Sequence, residues 1–130
     1  MSVEFNHTIV WSRDSKASAA FLADMLNLPP PRKWGPFQVV LTANGVNVDF
    51  MDGNEEIRTQ HYAFLVSEAE FDQIHARIRA RDLAYWADPG RTRSGEINDH
   101  DGGRGLYFED PSGHLLEIIT RAYGSGGWQP

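Results

Sequence analysis

The residues of this chain best suited to chemistry are two histidines and two carboxylates that recur at matching places. His7 lies in Asn6-His7-Thr8-Ile9-Val10-Trp11, and His61 in Gln60-His61-Tyr62-Ala63-Phe64-Leu65-Val66. Further along each copy a turn glycine is followed four residues later by an acid, Gly45 by Asp49 and Gly113 by Glu117. Such spacing marks one supersecondary unit written twice. His61 shares its alternating face with Thr59, Ala63 and Leu65, and Glu117 shares its face with Leu115 and Ile119. A carboxylate among apolar neighbours is costly unless a cation or a dense hydrogen-bond set meets it. Two imidazoles and one carboxylate give three ligands on one side of a divalent ion and leave positions open for water, substrate or dioxygen. His7, His61 and Glu117 are therefore read as metal ligands. Asp49 holds the slot equivalent to Glu117, but its face is mixed, with Asn47 and Met51. It reads equally well as a fourth ligand, an acceptor orienting a histidine, or a solvated strand residue.

The elements that must position these residues follow from periodicity. Residues 3 to 11 alternate Val3, Phe5, His7, Ile9 and Trp11 against Glu4, Asn6, Thr8 and Val10, a strand with His7 on the apolar side. Ser12 and Asp14 offer N-cap oxygens to a helix in which Phe21, Leu22, Met25 and Leu26 recur at helical spacing, and Pro29-Pro30-Pro31 stops it. In the second copy Ser67-Glu68-Ala69-Glu70 reads as a capping box opening a helix with the stripe Phe71, Ile74, Ile78. His75 borders that stripe, and His114 alternates away from Glu117, so neither is read as a ligand. From Pro89 to Gly105 the chain is polar and glycine-rich, which predicts a mobile loop, a candidate lid carrying a solvated His100. The tail Tyr123 to Pro130 has the composition of a flexible terminus with one aromatic, Trp128, able to dock.

Bulk properties narrow the classes. At 130 residues the chain makes one domain built from two small modules. A net charge of -6, with two lysines and scattered arginines, lacks the basic stripe of a nucleic-acid surface. With no cysteine, a metal must be held by imidazole and carboxylate. No stretch approaches the roughly 18 apolar residues of a membrane span, and no leader pattern opens the chain. The expectation is a soluble cytoplasmic protein with neither nucleic acid nor membrane as a partner.

From Asn6-His7 to Glu117 the sequence resembles the vicinal oxygen chelate superfamily, which includes glyoxalase I, the bleomycin and fosfomycin resistance proteins and the extradiol ring-cleavage dioxygenases. The most specific stretch runs from Gly105-Leu106-Tyr107-Phe108 through Asp110-Pro111-Ser112-Gly113-His114 to Glu117. The resemblance implies an α+β fold. Two βαβββ modules, about 3–52 and about 58–121, would form a cupped mixed sheet with the helices on its outer face. One divalent ion would be held by His7, His61 and Glu117, with Asp49 where glyoxalase-type members place another acid. A homodimer with a shared site is implied as well. The segment Asn98-Asp99-His100, then Leu106-Tyr107, Asp110-Pro111-Ser112-Gly113 and Glu117, looks like the extradiol dioxygenase signature. That assigns His100 and Tyr107 to catalysis beside the metal. Against it, this chain has only Val46, Asn47 and Val48 where such enzymes carry a further histidine.

Three alternatives stand beside this reading. A glyoxalase-like isomerase or lyase explains both acid slots but lacks a clear glutathione-binding arginine pattern. A fosfomycin-type enzyme shares His61-Tyr62, yet Tyr85-Trp86-Ala87-Asp88 occupies the place of its expected lysine. A metal-free bleomycin-type binder would use Trp11, Trp34, Trp86 and Tyr107 to sequester a cationic aromatic drug, without needing the ligand set. The expectation is a metal-dependent enzyme acting on a small-molecule substrate, with dioxygenase chemistry ahead of isomerisation, and with Fe, Mn, Ni, Co or Zn as the ion.

Overall fold

Both copies of the repeat form a βαβββ unit. The computed structural model describes residues 2–53 and 56–126, which divide into a unit of residues 2–53, 56–58 and 110–112 and a unit of residues 59–109 and 113–126. Trp128 lies outside the described residues.

In the first unit, strand β1 (His7–Ser12) leads to helix α1 (Ser15–Leu26), then β2 (Arg32–Trp34), β3 (Phe37–Leu41) and β4 (Asn47–Asp52). The sheet order is β1-β4-β3-β2, with β1 and β4 parallel and the other neighbours antiparallel. Asp14 caps α1 by accepting from the Ala17 amide. The helix ends before the prolines, because Asn27 adopts a left-handed conformation and its N–H closes onto the carbonyls of Ala23 and Asp24. Val10, Val40, Val48 and Phe50 are buried with Ala19, Leu22, Met25 and Leu26 of the helix. Side chains of this kind contribute roughly 1.5–3 kcal/mol each when fully buried. The core therefore uses the Val10 side of β1. The expected strand from residue 3 begins at His7, and the stripe Phe5, Ile9 and Trp11 remains exposed.

In the second unit, β5 (His61–Leu65) precedes α2 (Glu68–Ala80), β6 (Tyr85–Trp86), β7 (Gly105–Glu109) and β8 (Leu115–Ile119). The order β5-β8-β7-β6 repeats that of the first unit, again with the outer and last strands parallel. The Ser67–Glu70 capping box forms at the start of α2. Phe71, Ile74 and Ile78 are buried with Leu106, Phe108, Leu116 and Ile118. Arg104 fastens α2 to the sheet, with its guanidinium over the Phe71 ring and its N–H groups donating to Glu68 and Asp72.

The expected lid is instead a pinned loop. The Asp88 carboxylate accepts from the amides of Thr92 and Arg93 and from the Thr92 hydroxyl, bonds that hold its carboxyl below the usual range. Asn98 is buried; it exchanges backbone bonds with Gly105 and donates its side-chain amide to the Ala87 carbonyl. Asp101 accepts from the amides of Gly124 and Gly126, so the described part of the tail is tied down as well. The polar composition is explained by these internal bonds, since Asp and Asn side chains substitute for a ladder wherever backbone groups would go unpaired.

Candidate metal centre

His61 opens β5 and its imidazole is oriented by the neighbouring strand. Its Nδ1 lies 3.0 Å from the carbonyl oxygen of Leu115, its Cα partner in the parallel pair. A carbonyl can only accept, so Nδ1 carries a proton, and the second ring nitrogen, Nε2, meets the carboxylate of the site. That nitrogen is 3.1 Å from Glu117 Oε1. Glu117 sits mid-strand on β8 and is 4% exposed. Opposite it on β7 stands Tyr107, a buried phenol hydrogen-bonded to the same carboxylate. Burial raises the Tyr107 pKa first, the Glu117 charge second and the hydrogen bond third, so the phenol stays protonated and donates. The His61 and Tyr107 ring centroids are 5.8 Å apart.

Nε2 and the carboxylate are therefore within hydrogen-bond distance, a contact that needs a proton or another positive charge between its two atoms. A proton on His61 would serve, and so would a metal ion. The donor set fits a borderline divalent ion, being nitrogen and oxygen with no thiolate. The spacing fits too, because adjacent ligands at bond lengths of about 2.1 Å are separated by roughly 3.0 Å when the bonds meet at a right angle.

The first unit carries the same register. His7 pairs with Asn47 and Ile9 with Asp49, as His61 pairs with Leu115 and Ala63 with Glu117. The side chains differ. His7 is exposed, and its Nδ1 turns to the neighbouring Asn6 Oδ1 at 2.6 Å. Asp49 is 5% exposed and its Oδ1 has no hydrogen-bond partner, which removes the solvated-residue reading. Among the described residues no three histidine, aspartate or glutamate side chains gather into a group able to hold a metal. The structure thus joins His61, Glu117 and Tyr107, while His7 and Asp49 occupy the equivalent places in the first unit.

His100 begins a single 3-10 turn (His100–Gly102), with its backbone N–H donating to Asn98 Oδ1 and its side chain exposed. His75 is half-buried against Phe71 and Tyr85. His114 is buried away from the Glu117 face and accepts from the Gln60 amide at 2.9 Å. Strand alternation shows that His114 is turned from the ligand face, and it is silent on what the ring bonds on the other face. The residue's adjacency to Leu115, the Cα partner of His61, was the signal available.

Comparison with known proteins gives the family of the chain. The profile of the Glyoxalase/Bleomycin resistance protein/Dioxygenase superfamily matches residues 4–118. Among solved structures, Oxidase ChaP-H2 is 60% identical with a TM-score of 0.94, covering 98% of this chain and 100% of that one. Oxidase ChaP-H1 is 59% identical with a TM-score of 0.93, covering 95% of this chain and 99% of that one. Metallothiol transferase FosB of Shouchella clausii (strain KSM-K16) is 40% identical over 70 residues, a match spanning 51% of this chain and only 42% of that protein.

Proposed function

The chain belongs to the Glyoxalase/Bleomycin resistance protein/Dioxygenase superfamily, and from that premise we propose that it is a metal-dependent enzyme using dioxygen to oxidise a small organic molecule. Metal dependence rests on one observation above the others, the approach of His61 Nε2 to the buried Glu117 carboxylate at 3.1 Å. Oxygen chemistry rests on the near-full-length likeness to two oxidases.

In this reading His61 Nε2, a Glu117 oxygen and His7 hold the ion. A redox-capable divalent ion in such a two-histidine, one-carboxylate set supplies a route for electrons between substrate and dioxygen. Tyr107 keeps its proton and orients Glu117 while offering a phenol at the edge of the site. Asp49 acts either as a further ligand or as an acceptor for His7. His100 is the acid/base suggested by the dioxygenase signature, and reaching the substrate would require release of the Asn98 anchor.

The protein is proposed to act as a homodimer in which His7 of one copy completes the His61 and Glu117 pair of the other. The supporting observation is the face on which His7 lies. Phe5, Ile9 and Trp11 flank it with 67%, 42% and 47% of their surface exposed, an apolar stripe of the sort a self-complementary interface covers.

The test is metal and oxygen together. Protein purified without chelator or nickel affinity resin should retain one equivalent of a divalent ion per site. After loading with Fe(II) it should consume dioxygen with electron-rich phenols such as substituted catechols. A protein that takes up no metal would sink the enzyme reading in favour of a binder. The match to FosB supports a second reading, thiol transfer, which predicts metal-dependent loss of a thiol in the presence of fosfomycin and no oxygen uptake.

A further inference from the structure

The two units place identical backbone registers around His7 and His61 but do not hold the two rings alike, and one residue accounts for the difference. In both, the carbonyl just before the histidine accepts from the partner strand: Gln60 from the Leu115 amide at 2.9 Å, Asn6 from the Asn47 amide at 3.0 Å. Among the described residues, the preceding N–H is also engaged only in the second unit, by His114 Nδ1 at 2.9 Å from the Gln60 nitrogen. An amide donor requires an acceptor, so the His114 ring is unprotonated at Nδ1. The bond adds one rung to the parallel β5–β8 ladder at the end where His61 sits. Tyr62 backs the His114 ring, with centroids 5.8 Å apart and the planes at 78°. The residue equivalent to His114, one past the turn glycine, is Val46 in the first unit, and valine accepts nothing. There the His7 ring turns to its own neighbour Asn6, whereas the His61 ring donates across to Leu115.

We propose that His114 is a positioning residue for metal binding: by clamping the Gln60 N–H from the face opposite the site, it keeps His61 in the orientation that donates from Nδ1 to Leu115 and turns Nε2 to Glu117. The second unit is then a preformed half-site that takes the ion first, and His7, which lacks a clamp, is the adaptable ligand that joins afterwards. The physical reason is preorganisation, since an imidazole already held by backbone bonds loses less freedom when an ion binds. The proposal rests on the metal reading above, and its test separates the two.

Wild type, His114→Val and His114→Asn are compared by Co(II) titration, and in metal-free protein by the ring-nitrogen NMR shifts of His61. Valine reproduces the first unit's residue, whereas asparagine retains an oxygen near the place of Nδ1. The expected result is a roughly 10–100-fold loss of Co(II) affinity in His114→Val, with a change in the His61 ring-nitrogen shifts as the Nδ1 bond to Leu115 loosens. Recovery to within a few-fold is expected in His114→Asn. Unchanged affinity and unchanged His61 ring-nitrogen shifts in His114→Val overturn the proposal, as does an asparagine variant no better than the valine one, which would leave only packing. Should His114→Val fail to fold, His114→Asn decides alone, by keeping both readouts or losing them. Wild type that binds no Co(II) rejects the metal reading, while the metal-free NMR comparison still decides the clamp.

Discussion

Tyr107 and Glu117 are Cα partners across β7 and β8, and the phenol hydrogen-bonds the carboxylate that faces His61. The buried acid is therefore held from one side by the phenol and met on the other by the His61 imidazole at 3.1 Å.

Glu117→Gln keeps the volume but removes the negative ligand, so metal retention on gel filtration should be all but lost. Tyr107→Phe should weaken it less, about 10-fold, because only an orienting bond is lost. Unchanged metal stoichiometry in Glu117→Gln would return Glu117 to a purely structural role.

Mixing His7→Ala with Glu117→Ala protein tests the shared site. Each variant alone should lose its competent sites, whereas the mixed dimer has one site with every ligand and one lacking two. About half the sites of the heterodimer should recover. Full metal binding by a monomer in sedimentation at micromolar concentration would remove the dimer proposal.

Asp49 has a buried oxygen without a partner, and an unpaired carboxylate in that position destabilises the metal-free chain. Asp49→Asn should raise the thermal midpoint of metal-free protein, with a gain on the order of 1–2 kcal/mol. The same substitution should lower metal affinity if Asp49 ligates the ion. A lower midpoint would mean that the carboxylate is satisfied in the folded chain.

His100 is exposed on a loop held by Asn98. With that anchor in place, His100→Ala should change oxygen-dependent turnover by less than about threefold. A loss of roughly 10²-fold, the scale of a missing acid or base, would show that the loop opens and that His100 reaches the substrate.

His75 gives the fold a pH dependence. Its Nε2 is buried without a partner between Phe71 and Tyr85. Burial lowers its pKa first, and the Arg79 and Arg104 charges lower it further against the opposing pull of Asp72. The unfolded chain then takes up a proton before the folded one, so the His75 contribution is complete above about pH 6.5. It is lost as pH falls from there through the folded value. His75→Leu should flatten the decline of the thermal midpoint below pH 6.5 relative to wild type, and parallel declines would refute the assignment.

Local patterns in the sequence determined much of this protein. Counting from Gly45 and Gly113, both in left-handed turn conformations, put Asp49 and Glu117 in equivalent strand positions, because a strand's side chains repeat every two residues. The Asp14 cap and the Ser67–Glu70 box were legible because capping is a bond between residues three apart. Contacts between distant segments were not legible. Alternation placed His7 with Phe5, Ile9 and Trp11 but could not say that Val10 and Ser12 take the core side, since that depends on where α1 docks. Polar composition suggested a mobile loop from Pro89 to Gly105, yet Asp88, Asn98 and Asp101 turn the same polarity into anchors by meeting backbone groups far along the chain. The approach of His61 to Glu117, the Tyr107 bond and the His114 clamp all join strands separated by loops or a helix. Only the tertiary structure decided them, because their distances are set by strand pairing and not by spacing in the chain.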